Sequence, residues 1–317
     1  LGLDTEQERS LEALDRLLSG SEQAENRRNL AVLHERNGDA LRAISRYEAA
    51  LGCDADDRES LQALVRLHAA RRDHDSLARA LRRLAEIVTG SQRASCLDAL
   101  SRLLEEQAAD VDGAIVVLWR LCGMPERPAD AVARLEALLE RAGRFEELAQ
   151  QLLERRRSLP EQSPEALALD LRRASLLLDP LGQTEEAATV FRSIRTRHPD
   201  CREATQGLEQ ALRSGNDCAG LAVLLESRAR NESDPAVRAR IQFERAVILE
   251  DSLGEHEAAQ EIFDALASQT SDAAIAASAG SRLESLLERR GAWSTLRERL
   301  AQALGRGSQE QDLALHR

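Results

Sequence analysis

Residues 24–57 read AENRRNLAVLHERNGDALRAISRYEAALGCDADD, and this stretch decides the fold. It divides at Asn37-Gly38-Asp39 into two amphipathic segments. The first carries Leu30 and Leu33. The second carries Ala40, Ala43, Ile44, Tyr47, Ala50 and Leu51, recurring at i+3 and i+4 and lining one helical face. Gly38 can adopt the positive φ that ends the first helix, and Asp39 can cap the second. A hairpin of this size cannot bury its apolar faces alone. The rest of the chain repeats it.

Turns of the same kind are predicted at Gly38, Arg72, Ala109, Gly143, Gly182, Asn216, Gly254 and Gly291, in steps of 34, 37, 34, 39, 34, 38 and 37 residues. Short and long steps alternate, so the hairpins come in two kinds, and periodicity on this scale marks a solenoid. In the first kind, Leu33, Leu104, Leu177 and Leu249 precede the turn by five residues, and Ala43, Ala114, Ala187 and Ala259 follow it by five. Tyr47, Leu118, Phe191 and Phe263 follow by nine. In the second kind, Leu64, Leu135, Leu208 and Leu283 precede the turn by eight. Leu77, Leu148, Leu221 and Leu296 follow by five, and Leu81, Leu152, Leu225 and Leu300 by nine. Small residues suit a close helix crossing and large ones fill the groove towards the next hairpin. His74, Phe145, Cys218 and Trp293 open the second helices as a bulkier wedge, and Trp293 is expected in the core. The fold expected is all-α, with at least sixteen helices in about eight stacked hairpins.

The stretch 24–57 resembles a tetratricopeptide repeat (TPR), with Leu30, Gly38, Ala43, Tyr47 and Ala50 on that family's small-and-large pattern. The family's aromatic near the start of the first helix is replaced by Arg27, and its proline after the second helix by Ala55, though Pro160 and Pro199 keep it elsewhere. These departures leave half-a-TPR and HEAT-like arrays open as neighbouring classes. The resemblance covers roughly residues 24–305. It implies a right-handed α-solenoid whose first helices line a concave groove that binds peptides or helices of other proteins. A lysine-and-asparagine carboxylate clamp is not expected, because all 43 basic residues are arginine.

Around that array, Asp4 to Leu18 reads as a lone helix with Leu11, Leu14, Leu17 and Leu18 on one face. The expected division is 1–20 as an unpaired helix of a preceding repeat, 21–307 as the solenoid, and 308–317 as the start of a following helix. The chain reads as a segment of a larger protein. Pro180, two residues before Gly182, is expected to mark a helix end.

A formal net charge of −12 argues against nucleic acid as partner. The absence of lysine fits codon bias in a GC-rich, bacterial genome. Cys53, Cys96, Cys122, Cys201 and Cys218 form no C-x-x-C pair and are expected at small buried positions. With no apolar run of the ~18–20 residues that spans a bilayer and no signal-peptide pattern, a cytoplasmic location is the default and no membrane insertion is expected.

No nucleophile elbow, phosphate loop, dinucleotide fingerprint or paired metal-binding histidines appear, so no enzyme activity, cofactor or metal is expected. His34 and His68, each four residues before a turn, are expected to be half-buried. The carboxylates are expected to pair with arginines at i, i+4 along each helix. Arg155-Arg156-Arg157 with Arg172-Arg173 form a candidate basic spot for an acidic partner, and Trp119 a candidate exposed anchor.

The packing registers leave one face of the first helices unassigned, and the candidate protein-binding groove lies there: Arg28, Val32 and Glu35, then Gln62, Arg66 and Ala69. The reading favoured is a non-catalytic interaction scaffold that binds a peptide or helix there with micromolar affinity. A peptide-sensing regulatory module of a multidomain protein is the alternative. Reversing the charges of Arg28 and Arg66 is expected to weaken binding and leave the melting temperature nearly unchanged.

Overall fold

The computed structural model describes residues 2–106, 110–270 and 272–301, with side chains from residue 6 onward. No strand occurs among them. The helices are α1 (Gly2–Asp15), α2 (Gly20–Arg36), α3 (Ala40–Cys53), α4 (Arg58–Arg71), α5 (His74–Ile87), α6 (Gly90–Glu106), α7 (Val111–Cys122) and α8 (Ala131–Arg141). They continue as α9 (Phe145–Arg157), α10 (Pro164–Leu178), α11 (Thr184–Arg197), α12 (Arg202–Ser214), α13 (Cys218–Asn231), α14 (Pro235–Ile248), α15 (His256–Gln269) and α16 (Ala273–Arg289). Residues 293–301 are again helical, and a short π-helix, Leu249–Leu253, extends α14. The chain forms two compact units, Leu1–Gln151 and Leu152–Arg317.

Helices begin and end where the chain's local chemistry dictates. Gly38, Arg72, Gly143, Gly182, Asn216, Gly254 and Gly291 all have φ between 54° and 77°. Each of these expected turns is therefore a single left-handed residue, the conformation that stops an α-helix and reverses the chain. The turn expected at Ala109 lies outside the described residues. At four of the junctions the residue that follows the turn caps the next helix. Asp39, Asp73, Asp110 and Asp217 accept from the backbone N–H of Arg42, Ser76, Gly113 and Gly220. Pro164 and Pro235 stand in the first turn of α10 and α14, behind the caps Ser163 and Asp234. Pro180 lies just past the end of α10 at Leu178.

The repeat positions are the core. Ala43, Ala114, Ala187 and Ala259 are fully buried, as are Leu118 and Phe263, with Tyr47 and Phe191 close to it. In the first unit Ala43, Tyr47, Leu51, Leu61, Leu64 and Leu84 share one cluster. In the second, Phe191 packs with Leu177, Leu208 and Leu225 in one cluster, and Phe263 with Leu249 and Leu283 in the next. Phe263 also meets Phe243 edge-on, ring centroids 5.7 Å apart. The ring of Phe191 is accommodated by Gly207: a Cβ there would overlap it. Gly207→Ala is therefore expected to destabilise by about 1–3 kcal/mol through overpacking, read as a lowered urea midpoint. An unchanged midpoint would show that the ring has room to move.

Several expectations are corrected. Leu77 is only half-buried, and Leu300 is 43% exposed on the last described helix. The wedge position is peripheral: His74, Phe145 and Cys218 are half-buried, and Trp293 is 64% exposed rather than core. A residue at the first position of a helix points along the turn, away from the partner helix, and size alone does not bring it inside. Helix α1 stops at Asp15, so Leu17 falls in the following turn, 82% exposed, instead of extending the apolar face. His34 and His68 are fully rather than half-buried.

The ion pairs differ in kind from the expected i, i+4 pairs. Some do follow helical spacing, such as Arg102–Asp98 and Arg213–Glu209. Many others join successive hairpins, at separations close to one repeat. Arg66–Glu35, Arg134–Asp98, Arg144–Asp112 and Arg282–Glu250 are examples, and Arg197–Asp170 ties the two helices of one hairpin. Stacking brings equivalent positions of neighbouring helices side by side, and the long, forked guanidinium reaches across.

Candidate functional site

The groove residues occupy two facing stripes in the first unit. Arg28, Val32 and Glu35 follow one another at i, i+4 and i+7 along α2, and Gln62, Arg66 and Ala69 do the same along α4. Leu30, Ala31 and Leu33 of α2, and Leu61, Ala63 and Leu64 of α4, are turned into the core. Val32 is 37% exposed, and Gln62, Arg66 and Ala69 are exposed with it.

Two sets of polar contacts tie the stripes together. Arg66 donates to both carboxylate oxygens of Glu35, at 2.9 and 2.6 Å. Tyr47 is buried beside the same carboxylate, and burial first, then its interaction with Glu35, push the phenol well above its usual range. At the other end, Arg28 donates to Asp57 at 2.8 Å and pairs with Glu59 at 3.2 Å. Asp57 is itself buried and is the N-cap of α4, accepting from the backbone N–H of Glu59 and Ser60 and, at 2.6 Å, from the Ser60 hydroxyl.

Arg28 thus has a structural duty. It compensates a buried carboxylate that starts a helix, so its charge reversal cannot leave the melting temperature unchanged, as the sequence suggested. Arg66, two-thirds exposed in its side chain, meets that expectation better.

The same register extends beyond the residues the sequence reading named. In α6 it gives Ala99, Leu103 and Glu106, and in α8 Ala133, Ala137 and Glu140. In the second unit, Asp179 accepts from Gln210 at 3.1 Å, the α10–α12 counterpart of Glu35 and Arg66. Counting back from each turn would have found these positions.

The other candidates are placed as follows. Arg156 and Arg197 share Asp170, at 2.9 and 2.8 Å, and Arg157 pairs with Glu154, so the basic spot is largely committed to internal partners. Trp119 is half-buried. His34 Nε2 lies 3.7 Å from Glu8 and His68 Nδ1 3.4 Å from Asp73, each facing a single carboxylate. No group of three or more potential metal ligands occurs among the described residues. All five cysteines are half-buried, and burial raises the thiols of Cys96 and Cys122, disfavouring the reactive thiolate. No described helix is long and apolar enough to cross a membrane.

A cleft of about 280 Å³ lies between α3, α4 and α5, lined by Leu64, His68, Ser76 and Ala80. Its register equivalent recurs between α15, α16 and the last described helix, lined by Leu283, Leu287, Thr295 and Arg299. Such clefts are a product of the repeat and do not single out a catalytic centre.

The 34-residue hairpin of α2 and α3 turns on left-handed Gly38 and buries Leu30, Ala43, Tyr47 and Ala50, and its successors reuse those registers. The chain is a TPR-like helical-repeat array. No family model matches it, and no curated protein matches its sequence. Among solved structures, the Naa15/Naa10 complex bound to HypK-THB is similar at 14% identity and a TM-score of 0.42, over 89% of this chain. This TPR-like chain spans only 45% of that one. YrrB, described as a TPR protein with an unusual peptide-binding site, is 16% identical over 58% of this chain and 90% of its own, with a TM-score of 0.31. The TPR2AB domain of yeast Sti1, solved in complex with pHSP90, is 12% identical over 84% of this chain and 98% of its own, with a TM-score of 0.28.

Proposed function

We propose that the array is a non-catalytic protein-interaction module, part of a larger protein, that binds a peptide or helix of another protein along the α2–α4 face. The observation that carries this reading is the exposed run of Val32, Gln62, Arg66 and Ala69, set between buried leucine and alanine stations and held by cross-helix bonds. The stripes are fixed in place without being covered. A partner therefore meets a preorganised surface and leaves the repeat packing intact. The face offers mixed charge and one aliphatic side chain but no aromatic anchor, which suits a polar segment and micromolar affinity.

The test starts from affinity capture of a partner, followed by titration of the captured segment into wild type and Arg66→Glu. The variant loses the Glu35 pair and places two carboxylates together on the face. Binding is expected to weaken about tenfold, while the melting temperature changes little because the Arg66 side chain is two-thirds exposed. Equal affinity for the two proteins would move the binding surface elsewhere.

A further inference from the structure

Three clefts of the array share one register. In each, one wall carries the residue ten after a first-kind turn: Glu48, Arg192 or Asp264. The floor carries the residue four before the next turn: His68, Leu212 or Leu287. In the two clefts of the second unit an ion pair joins the walls. Arg192 pairs with Asp217 at 3.1 Å, and Asp264 pairs with Arg299. Those clefts are latched by their own charges.

The first-unit cleft keeps the charges and lacks the latch. Glu48 of α3 stands on one wall, and Arg79 and Arg83 of α5 on the other, all exposed. Arg79 donates to the Ser76 hydroxyl at 3.0 Å and Arg83 to the Ala55 carbonyl at 3.1 Å. Neither arginine, nor Glu48, forms an ion pair among the described residues. Between the walls lie the buried side chains of Leu51, Leu61, Leu64 and Ala80. With them stands His68, 5% exposed, where the other copies bury Leu139, Leu212 and Leu287. A polar ring at a leucine station costs stability unless it is bonded, and its Nδ1 has no hydrogen-bond partner in the fold. This cleft alone of the three departs from the repeat on both its walls and its floor.

We propose that the α3–α4–α5 cleft binds a free α-amino acid with an apolar side chain. The carboxylate meets Arg79 and Arg83, the ammonium meets Glu48, and the side chain lies over Leu51, Leu61 and Leu64. A guanidinium fork matches a carboxylate in parallel hydrogen bonds, and a ligand of one charge would satisfy one wall and leave the other unpaired. A zwitterion is neutral overall, so the formal net charge of −12 does not repel it at a distance. At about 280 Å³ the cleft is near the small end of ligand pockets, roughly 300 Å³, which suits a single amino acid. The site uses the Leu61, Leu64 and His68 stripe of α4, while the groove uses Gln62, Arg66 and Ala69. It therefore does not rest on the groove reading.

The experiment follows the imidazole protons of His68 in the full chain by NMR at low salt, the signal being assigned by its loss in His68→Leu. L-Leucine, N-acetyl-leucine, leucinamide and glycine are titrated separately. Leucine is expected to shift the signal saturably. The other three should bind about tenfold more weakly, since each lacks one of the three contacts. Glu48→Gln and Arg83→Gln should each weaken leucine about tenfold. Both should melt close to wild type, because the residues they replace are exposed. Arg82→Gln, an exposed arginine of α5 outside the cleft, should bind as wild type does. The proposal is overturned if leucine causes no saturable shift, or if any of the three analogues matches leucine. It is equally overturned if Glu48→Gln or Arg83→Gln binds undiminished, or if Arg82→Gln loses as much as Arg83→Gln.

Discussion

Truncating Leu135 to alanine is expected to cost about 2–5 kcal/mol, the range for emptying a buried leucine site. Leu135 is fully buried on α8, at a position also filled by Leu64, Leu208 and Leu283. Leu148 and Leu208 should behave alike. Because repeats contact mainly their neighbours, the loss should be local. Hydrogen exchange should accelerate in α7 to α9 of Leu135→Ala and stay near wild type in α14 to α16. A uniform loss of protection along the chain would mean that the array folds as one cooperative block, and the nearest-neighbour description would have to be abandoned.

The second large effect is expected from Arg28→Glu. The buried Asp57 carboxylate is held by one guanidinium, one hydroxyl and two backbone N–H groups. Replacing the guanidinium by a carboxylate removes the positive charge that faces Asp57 and adds a like one. The cost should be about 3 kcal/mol, near the lower end for stranding a buried ion, since Arg28 itself is a quarter exposed. Urea denaturation compared with Arg28→Gln separates the parts: the glutamine variant loses the pair without adding repulsion and should fall between. If Arg28→Glu melted with wild type, Asp57 would not depend on the pair. Partner binding in this variant must therefore be read only where the protein is still folded, and Arg66→Glu is the cleaner probe of the groove.

Much of the fold was legible because it rests on local rules repeated many times. A left-handed residue must interrupt each helix, and glycine marks five of the seven described turns. Arg72 and Asn216 were found only because spacing demanded a turn there. Leucine and alanine registers were legible for the same reason: one wrong assignment would have been contradicted by three other copies. What sequence could not supply was pairing between helices. Arg66 has no acid four residues before it, and nothing local connects it to Glu35, thirty-one positions earlier. The connection exists because hairpins stack. For that reason the sequence placed Arg28 and Arg66 in one class, while the structure divides them into a strut and a surface charge. Trp293 failed for a related reason, since position in the helical turn outweighed bulk.

The turn residues have a practical meaning of their own. At equivalent places, one polypeptide already holds glycine at φ 68° and 67° in Gly143 and Gly291, arginine at 55° in Arg72 and asparagine at 54° in Asn216. Evolution has thus run a small mutagenesis experiment inside a single molecule, with the backbone geometry held constant. Arginine is the costly occupant, since a Cβ in this conformation is disfavoured by roughly 1 kcal/mol or more, so its turn is the natural first target for thermostabilisation by glycine. The same internal comparison can guide construction of longer arrays, with each junction borrowed from the copy that tolerates it best.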